Sequence, residues 1–175
     1  MRSTAVRSAV RTSIAVVTAA AVGALCPGPI AHAEGDANSY DDIAINGNFI
    51  AFSDGVWAKT NDSLHEERSV TQVWTITSTC TTFEDCTGQV ISDHGWTGDL
   101  VYLSGRWRVR HVIEDWEPCW DGTAWPGTQT FIFWQEYERD PNVYVGWDRT
   151  EGPSGACGFN RVLDIEMPFR LTRQS

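Results

Sequence analysis

Three arginines alternate along one short segment of the chain, Arg106, Arg108 and Arg110, with Trp107 and Val109 between them. A β-strand places residues i, i+2 and i+4 on one face, so this spacing brings three guanidinium groups together. Cross-strand pairing with Asp or Glu is the structural interpretation of such a row. The functional alternative is a site for an anionic ligand, because the planar fork of arginine suits carboxylate and phosphate groups.

Three tryptophans form the second candidate site. Trp116, Trp120 and Trp125 are spaced along a segment beside Cys119 that the sequence predicts to be a loop. Trp is enriched at binding hot spots, so exposed rings here would make a platform that stacks on a sugar or grips a protein partner. Packing of the rings against a disulfide is the structural alternative. The candidate binding residues are therefore these three tryptophans and the three arginines.

The sequence predicts no catalytic residue. The segment Gly152-Pro153-Ser154-Gly155 faintly resembles the serine context of chymotrypsin-like proteases, but a triad also needs a positioned His and Asp. None of His65, His94 and His111 lies in such a context. Acidic pairs are numerous, so a hydrolase that uses an acidic pair in a barrel mouth is the alternative function. We expect no cofactor and no metal site.

Cysteine usage predicts two disulfides. Apart from Cys26 near the N-terminus, the chain has four cysteines: Cys80, Cys86, Cys119 and Cys157. Four cysteines in an exported chain allow three connectivities. The short loop between two β-like runs favours the pair Cys80–Cys86, which leaves Cys119–Cys157. A four-cysteine zinc site is the alternative, but such sites usually need two closely spaced pairs, and Cys119 and Cys157 form none.

Residues 1–33 have the features of a secretory signal peptide. Three arginines precede an apolar stretch, Ile14 to Leu25, that is shorter than the roughly 20 residues needed to span a bilayer. Ala31-His32-Ala33 then supplies the small-x-small cleavage pattern. Cleavage after Ala33 would give a secreted or cell-envelope protein, with no membrane span in the mature chain.

The charge balance restricts the partners. The chain has 23 acidic and 13 basic residues, a formal net charge of −10, and cleavage of the leader would remove three of the arginines. This charge disfavours nucleic acid and anionic membrane surfaces. Nine Trp, seven Phe and four Tyr indicate a folded core rather than a disordered chain. The partners left are a small molecule, a glycan or a protein.

The elements that must position these residues are β-strands. Val70 to Thr79 alternates with a period of two and is rich in β-branched residues, which predicts a strand with Trp74 and Ile76 facing the core. The dipeptide Asp54-Gly55 lies between short apolar runs and predicts a two-residue hairpin. No segment longer than a turn or two has a helical period.

The sequence thus predicts a single all-β domain over residues 45–175, built as an antiparallel meander. Either an up-and-down barrel or a sandwich fits this pattern of strands. Residues 34–44, which are polar and acidic, are predicted to be a flexible tail after the signal peptide at 1–33.

Several short motifs carry a family resemblance. They are Asp54 to Asn61, Trp74 to Cys80, Trp116 to Cys119 with Asp121-Gly122-Thr123, and Gly152 to Gly158. Together they resemble small exported proteins of mycobacteria and related actinobacteria, whose function is uncharacterised. The resemblance implies export and pairing of the four cysteines, and it brings no catalytic residue.

These observations favour an exported binding module for a small ligand, a glycan or a protein partner. The secreted hydrolase is the alternative, and a purely structural or inhibitory module is the third hypothesis.

Overall fold

The computed structural model describes residues 42–136 and 140–175, and in them the protein is all-β. The strands are β1 (Gly47–Ser53), β2 (Lys59–Thr60), β3 (Ser63–Leu64), β4 (Val70–Cys80), β5 (Cys86–Ser92), β6 (Thr97–Leu103), β7 (Arg106–Pro118), β8 (Ala124–Gln135), β9 (Val143–Glu151) and β10 (Asp164–Arg173). Two short 3₁₀ helices lie at Gly55–Trp57 and Ala156–Gly158. No helix within these ranges has the length and apolar character needed to cross a bilayer.

Eight of the strands, β1 and β4 to β10, close into an antiparallel barrel. From β4 to β10 each strand pairs with the next one in sequence, and β1 closes the barrel between β10 and β4. Phe49 of β1, for example, pairs with Trp74 of β4 and with Arg173 of β10. Closure pairs the backbone of every barrel strand on both sides, so the fold is a barrel rather than a sandwich. Strands β2 and β3 form a small ribbon attached to β10.

Aromatic side chains fill the barrel interior. Trp74 is fully buried, as is Ile76, and this confirms the facing predicted for β4. The Trp74 ring packs edge to face on Phe131 with ring centroids 4.8 Å apart, and it lies 5.3 Å from Phe169. Such pairs add to the large apolar area that each ring buries. The interior of the barrel is therefore a packed core.

The prediction of a hairpin at Asp54-Gly55 is wrong. Asp54 caps a 3₁₀ turn instead, and its carboxylate accepts the backbone N–H of Val56. A Cβ on Gly55 would lie 2.2 Å from the backbone oxygen of Glu67, so glycine is needed here for close chain approach and not for a left-handed turn. The chain consequently leaves the barrel after β1 to form the ribbon β2–β3.

The loop predicted around the tryptophans is shorter than expected. Strand β7 continues to Pro118 and β8 begins at Ala124, with a register shift between Ile113 and Glu117, so only residues 119–123 form the loop. Trp116 and Trp125 accordingly lie on strands. An exposed strand accepts polar side chains on its solvent face, so the polar residues of this segment are compatible with strands.

The two disulfides are Cys80–Cys86 and Cys119–Cys157, which confirms the predicted pairing. The first joins the ends of β4 and β5. The second ties the β7–β8 loop to the 3₁₀ helix that follows β9, at the opposite end of the barrel. Two disulfides are typical of an oxidising, extracytoplasmic compartment.

The predicted signal peptide at 1–33 and residues 34–41 of the predicted tail lie outside the described residues. Ile43, near the end of that tail, packs against the core.

Candidate functional site

A buried polar chain lies at the barrel end that carries Cys119–Cys157. Asp148 is 1% exposed, and its two oxygens accept hydrogen bonds from the Ser53 hydroxyl at 2.6 Å and the Gln129 amide at 2.7 Å. The Gln129 carbonyl oxygen lies 2.7 Å from Nε2 of His111, which therefore carries the proton. Four strands thus meet through side-chain hydrogen bonds.

A second buried group continues this polar layer. Oε1 of Gln72 accepts from the indole N–H groups of Trp74 and Trp96, both at 3.0 Å, and from the Ser92 hydroxyl at 2.7 Å. The Trp96 ring also stacks on the His111 ring. The two polar groups are thereby joined through the stacked rings.

Burial shifts the pKa values of both titratable groups in this layer. Desolvation raises the pKa of Asp148 to about 6, against the lowering effect of the hydrogen bonds from Ser53 and Gln129. Desolvation likewise lowers the pKa of His111, although its bond to Gln129 acts in the opposite direction. A perturbed pKa can mark a functional site. Asp148, however, is enclosed by its partners and the packed core, so we assign the layer a structural role.

An open groove lies just outside this barrel end, and we call it the disulfide groove. It has a volume of about 410 Å³ and is lined by Glu117 of β7, by Thr60, Asn61, Ser63, Leu64 and His65 in and beside the β2–β3 ribbon, and by Phe159, Arg161, Val162 and Leu163 after Cys157. Leu64 and Phe159 expose most of their apolar surface in it. His65 and Arg161 also line the groove and add polar groups to its wall.

The turn at residues 119–123 presents a large ring beside this groove. Trp120 is 86% exposed, whereas the neighbouring Cys119 is fixed to Cys157. The carboxylate of Asp121 accepts from the hydroxyl of Thr123 at 2.7 Å and from its backbone N–H at 3.0 Å, and these bonds lower the pKa of Asp121. The turn is therefore held in one conformation while the indole projects into solvent.

The other two predicted tryptophans differ from each other. Trp125 is 40% exposed and pairs across β7–β8 with Glu117, a residue that lines the groove. Trp116 is half-buried, and its ring lies against Gly127, where an added Cβ would come within 2.6 Å of Cδ2 of the indole. Trp116 therefore packs against Gly127. None of the three tryptophans lines the groove itself, but Trp120 and Trp125 lie near its Glu117, Trp120 three positions along the chain and Trp125 as its cross-strand partner.

The arginine row lies on the outer wall of the barrel, far from the groove. Arg106, Arg108 and Arg110 share one face of β7, as predicted, and the structure shows that this face points outward. Within residues 42–136 and 140–175, the cross-strand carboxylates expected for Arg106 and Arg108 are absent. Arg106 pairs with Leu103, and Arg108 lies between Val101 and Ile132. The prediction of cross-strand carboxylates failed because the residues opposite an arginine depend on the strand register. The sequence of a single strand does not reveal that register.

Sequence reasoning missed several residues of this barrel end. Asp148 occupies an inward position of β9, two residues from the buried Gly146. The alternation of β9 could therefore have predicted that Asp148 is buried. Leu64, Phe159 and Arg161 gave no signal, because the groove forms only when the ribbon and the segment after Cys157 meet. Within residues 42–136 and 140–175, no cluster of three or more His, Cys, Asp or Glu side chains is placed to hold a metal ion.

Comparison with known proteins is limited to the fold. No protein-family model matches the sequence, and no curated protein matches it. A solved structure of the sensor domain of PknI from Mycobacterium tuberculosis, in its monomer form, is similar with a TM-score of 0.56. The match covers 75% of this chain and 88% of that chain at 11% sequence identity. At this identity the likeness shows a shared fold, and function must be argued from the site.

Proposed function

We propose that the protein is an exported binding domain that takes a glycan, or a comparable hydroxyl-bearing ligand, in the disulfide groove. One observation carries the proposal. Trp120 is 86% exposed on a turn fixed by Cys119–Cys157, and Glu117 and Phe159, each two residues from one of these cysteines, line an open groove of about 410 Å³. A large apolar ring exposed on a fixed turn costs solvation in the free protein, and it becomes favourable once a ligand covers it.

The chemistry of the groove supports a ligand with both an apolar face and hydroxyl groups. Its volume lies within the range of about 300–1,000 Å³ that is usual for ligand sites. Phe159 and Leu64 provide apolar surface in the groove, and the exposed rings of Trp120 and Trp125 lie near its Glu117 along the chain and across β7–β8. Arg161 donates hydrogen bonds, and the carboxylate of Glu117 accepts them. A sugar ring offers an apolar face for stacking and hydroxyl groups for such partners.

The location follows from the same set of observations. Cleavage after Ala33 would release a domain with two disulfides outside the cytoplasm, where an exposed aromatic platform can meet a cell-envelope glycan. The solved structure that shares this fold is a sensor domain. The fold does not support the hydrolase alternative. Side chains fill the barrel interior, and the carboxylate of Asp148 inside it is only 1% exposed.

Binding measurements on matched tryptophan variants test the proposal. The oxidised protein is titrated with soluble cell-wall glycan fragments by isothermal titration calorimetry. We expect W120A and W125A each to weaken binding about tenfold, because stacked aromatic anchors carry most of the energy of such sites. W147A is the control, since Trp147 is 42% exposed, as Trp125 is, but lies on the outer barrel wall. Equal losses in all three variants, or no binding of any fragment, would contradict the proposal.

A further inference from the structure

We propose that the outer barrel wall carries a second ligand site, for an oxyanion attached to an apolar body. The oxyanion is a carboxylate or a phosphate monoester. The site is a cleft of about 300 Å³ formed by Leu103, Ser104, Arg106, Arg108 and Ile132, and we call it the arginine cleft. It lies beside the turn that joins β6 to β7, at the barrel end opposite the disulfide groove, so it is independent of the glycan proposal.

The positive charge in this cleft is not neutralised by the protein. Neither Arg106 nor Arg108 has a carboxylate oxygen within 4.0 Å among the described residues. Arg149 differs from them, because its guanidinium lies 2.8 Å from Asp164 and 3.3 Å from Glu151. Arg106 and Arg108 also line the same cleft, so their two guanidinium groups concentrate positive charge at one place on the wall.

Both arginines are held in place by their surroundings. The guanidinium of Arg106 lies over the ring of Trp134, 5.1 Å from its centroid, in a cation–π contact. Arg108 is half-buried, and its Nε has no hydrogen-bond acceptor in the described part of the chain. A buried donor without an acceptor is unfavourable, so Arg108 gains from a ligand that brings oxygen atoms to its guanidinium group. The cleft is thus organised before the ligand arrives.

The walls of the cleft select for more than charge. A guanidinium presents parallel N–H groups that match two oxygens of a carboxylate or phosphate, and Arg106 and Arg108 present two such forks side by side. The hydroxyl of Ser104 adds another donor. Leu103, which is more than half exposed, and Ile132 supply apolar surface next to the forks. An anion with an alkyl or aromatic body therefore fits better than a free ion.

Arg110 provides a matched control on the same strand. It faces outward as the other two do, but it does not line the cleft, and it pairs with Thr130. R110Q therefore removes the same charge as R108Q and leaves the cleft intact.

The test combines calorimetry with side-chain NMR on the oxidised protein. Octyl phosphate and octanoate are the amphiphilic probes, and inorganic phosphate is the free-ion probe. We expect the Nε–Hε signals of Arg106 and Arg108 to shift with octyl phosphate and octanoate, and inorganic phosphate to bind at least tenfold more weakly than octyl phosphate. R106Q and R108Q are expected to weaken octyl phosphate binding tenfold or more, and R110Q less than twofold.

Three outcomes would overturn the proposal. They are the absence of binding at millimolar probe, equal losses in R108Q and R110Q, and equal affinity for octyl phosphate and inorganic phosphate. Equal losses would indicate general charge attraction, and equal affinities would show that the apolar walls do not contribute. Circular dichroism confirms that each variant is folded, and R108K, which keeps the charge but not the fork, is expected to bind as weakly as R108Q.

Discussion

Trp96 and His111 stack face to face inside the barrel, with ring centroids 4.0 Å apart and ring planes 7° apart. Each ring is also hydrogen-bonded, Trp96 to Gln72 at 3.0 Å and His111 to Gln129 at 2.7 Å. The stack therefore joins two polar groups on different strands into one layer. This layer closes the barrel end next to the disulfide groove, and we expect it to give the groove a rigid base.

The buried carboxylate of Asp148 makes stability depend on pH. Its pKa is raised from 3.8 to about 6 in the folded protein, so between these values the folded state binds more protons than the unfolded state. Stability from this group is therefore greatest at low pH and is lost as pH rises towards 6. We expect D148N to be more stable than the wild type at pH 7.5 by roughly 1–3 kcal/mol, with the gain shrinking towards pH 4. Urea unfolding across this range measures it, and parallel pH profiles would refute it.

His111 has the opposite effect on the pH dependence of stability. Burial lowers its pKa below 6.5, so protons bind preferentially to the unfolded state as the pH falls through 6.5, and stability is lost. In the wild type the two groups oppose each other. We expect H111F, which keeps a ring to stack on Trp96, to gain stability as pH falls from 6 to 4. D148N, in contrast, should lose stability over the same interval. Urea unfolding of both variants at each pH measures these opposite changes in stability.

The contact between Trp116 and Gly127 is predicted to be a packing contact without a binding role. A methyl group at Gly127 would overlap the indole, so we expect G127A to cost about 1–3 kcal/mol. In a W116L background the same change should cost clearly less, because the ring is gone. A double-mutant cycle by chemical denaturation measures the coupling. Strict additivity of the two changes would show that the ring does not restrict this position.

The two disulfides are expected to differ in their contribution to stability. Cys119–Cys157 spans 38 positions and Cys80–Cys86 spans 6. The chain-entropy model gives about 4 kcal/mol for the longer loop and about 2 kcal/mol for the shorter one. We therefore expect C119S/C157S to lower the free energy of unfolding about twice as much as C80S/C86S. Unchanged thermal stability after full reduction would contradict this expectation for both bonds.

The sequence was most informative where a pattern repeats within one strand. The alternation from Val70 to Thr79 predicted β4 and the burial of Trp74, and cysteine spacing predicted both disulfides. The alternation at 106–110 correctly placed the three arginines on one face of β7. Each of these inferences uses only the period of a strand or the length of a loop.

Features that depend on contacts between distant segments could not be predicted. Asp54-Gly55 has the residues of a hairpin turn, but its conformation is set by the approach of Glu67. The neighbours of Arg108 depend on the register of β6 and β8. The disulfide groove requires the ribbon, the segment after Cys157 and Glu117 to meet, so its lining is a property of the folded barrel alone.

The most direct test of the account is an amide NMR titration of the oxidised protein with the cell-wall glycan fragment that binds best. We predict shifts confined to residues 60–65, 117–125 and 156–163, together with the indole N–H signals of Trp120 and Trp125, and no change at Arg106 or Arg108. Saturable binding with shifts elsewhere on the barrel, and none at Trp120, would contradict the assignment of the disulfide groove as the ligand site.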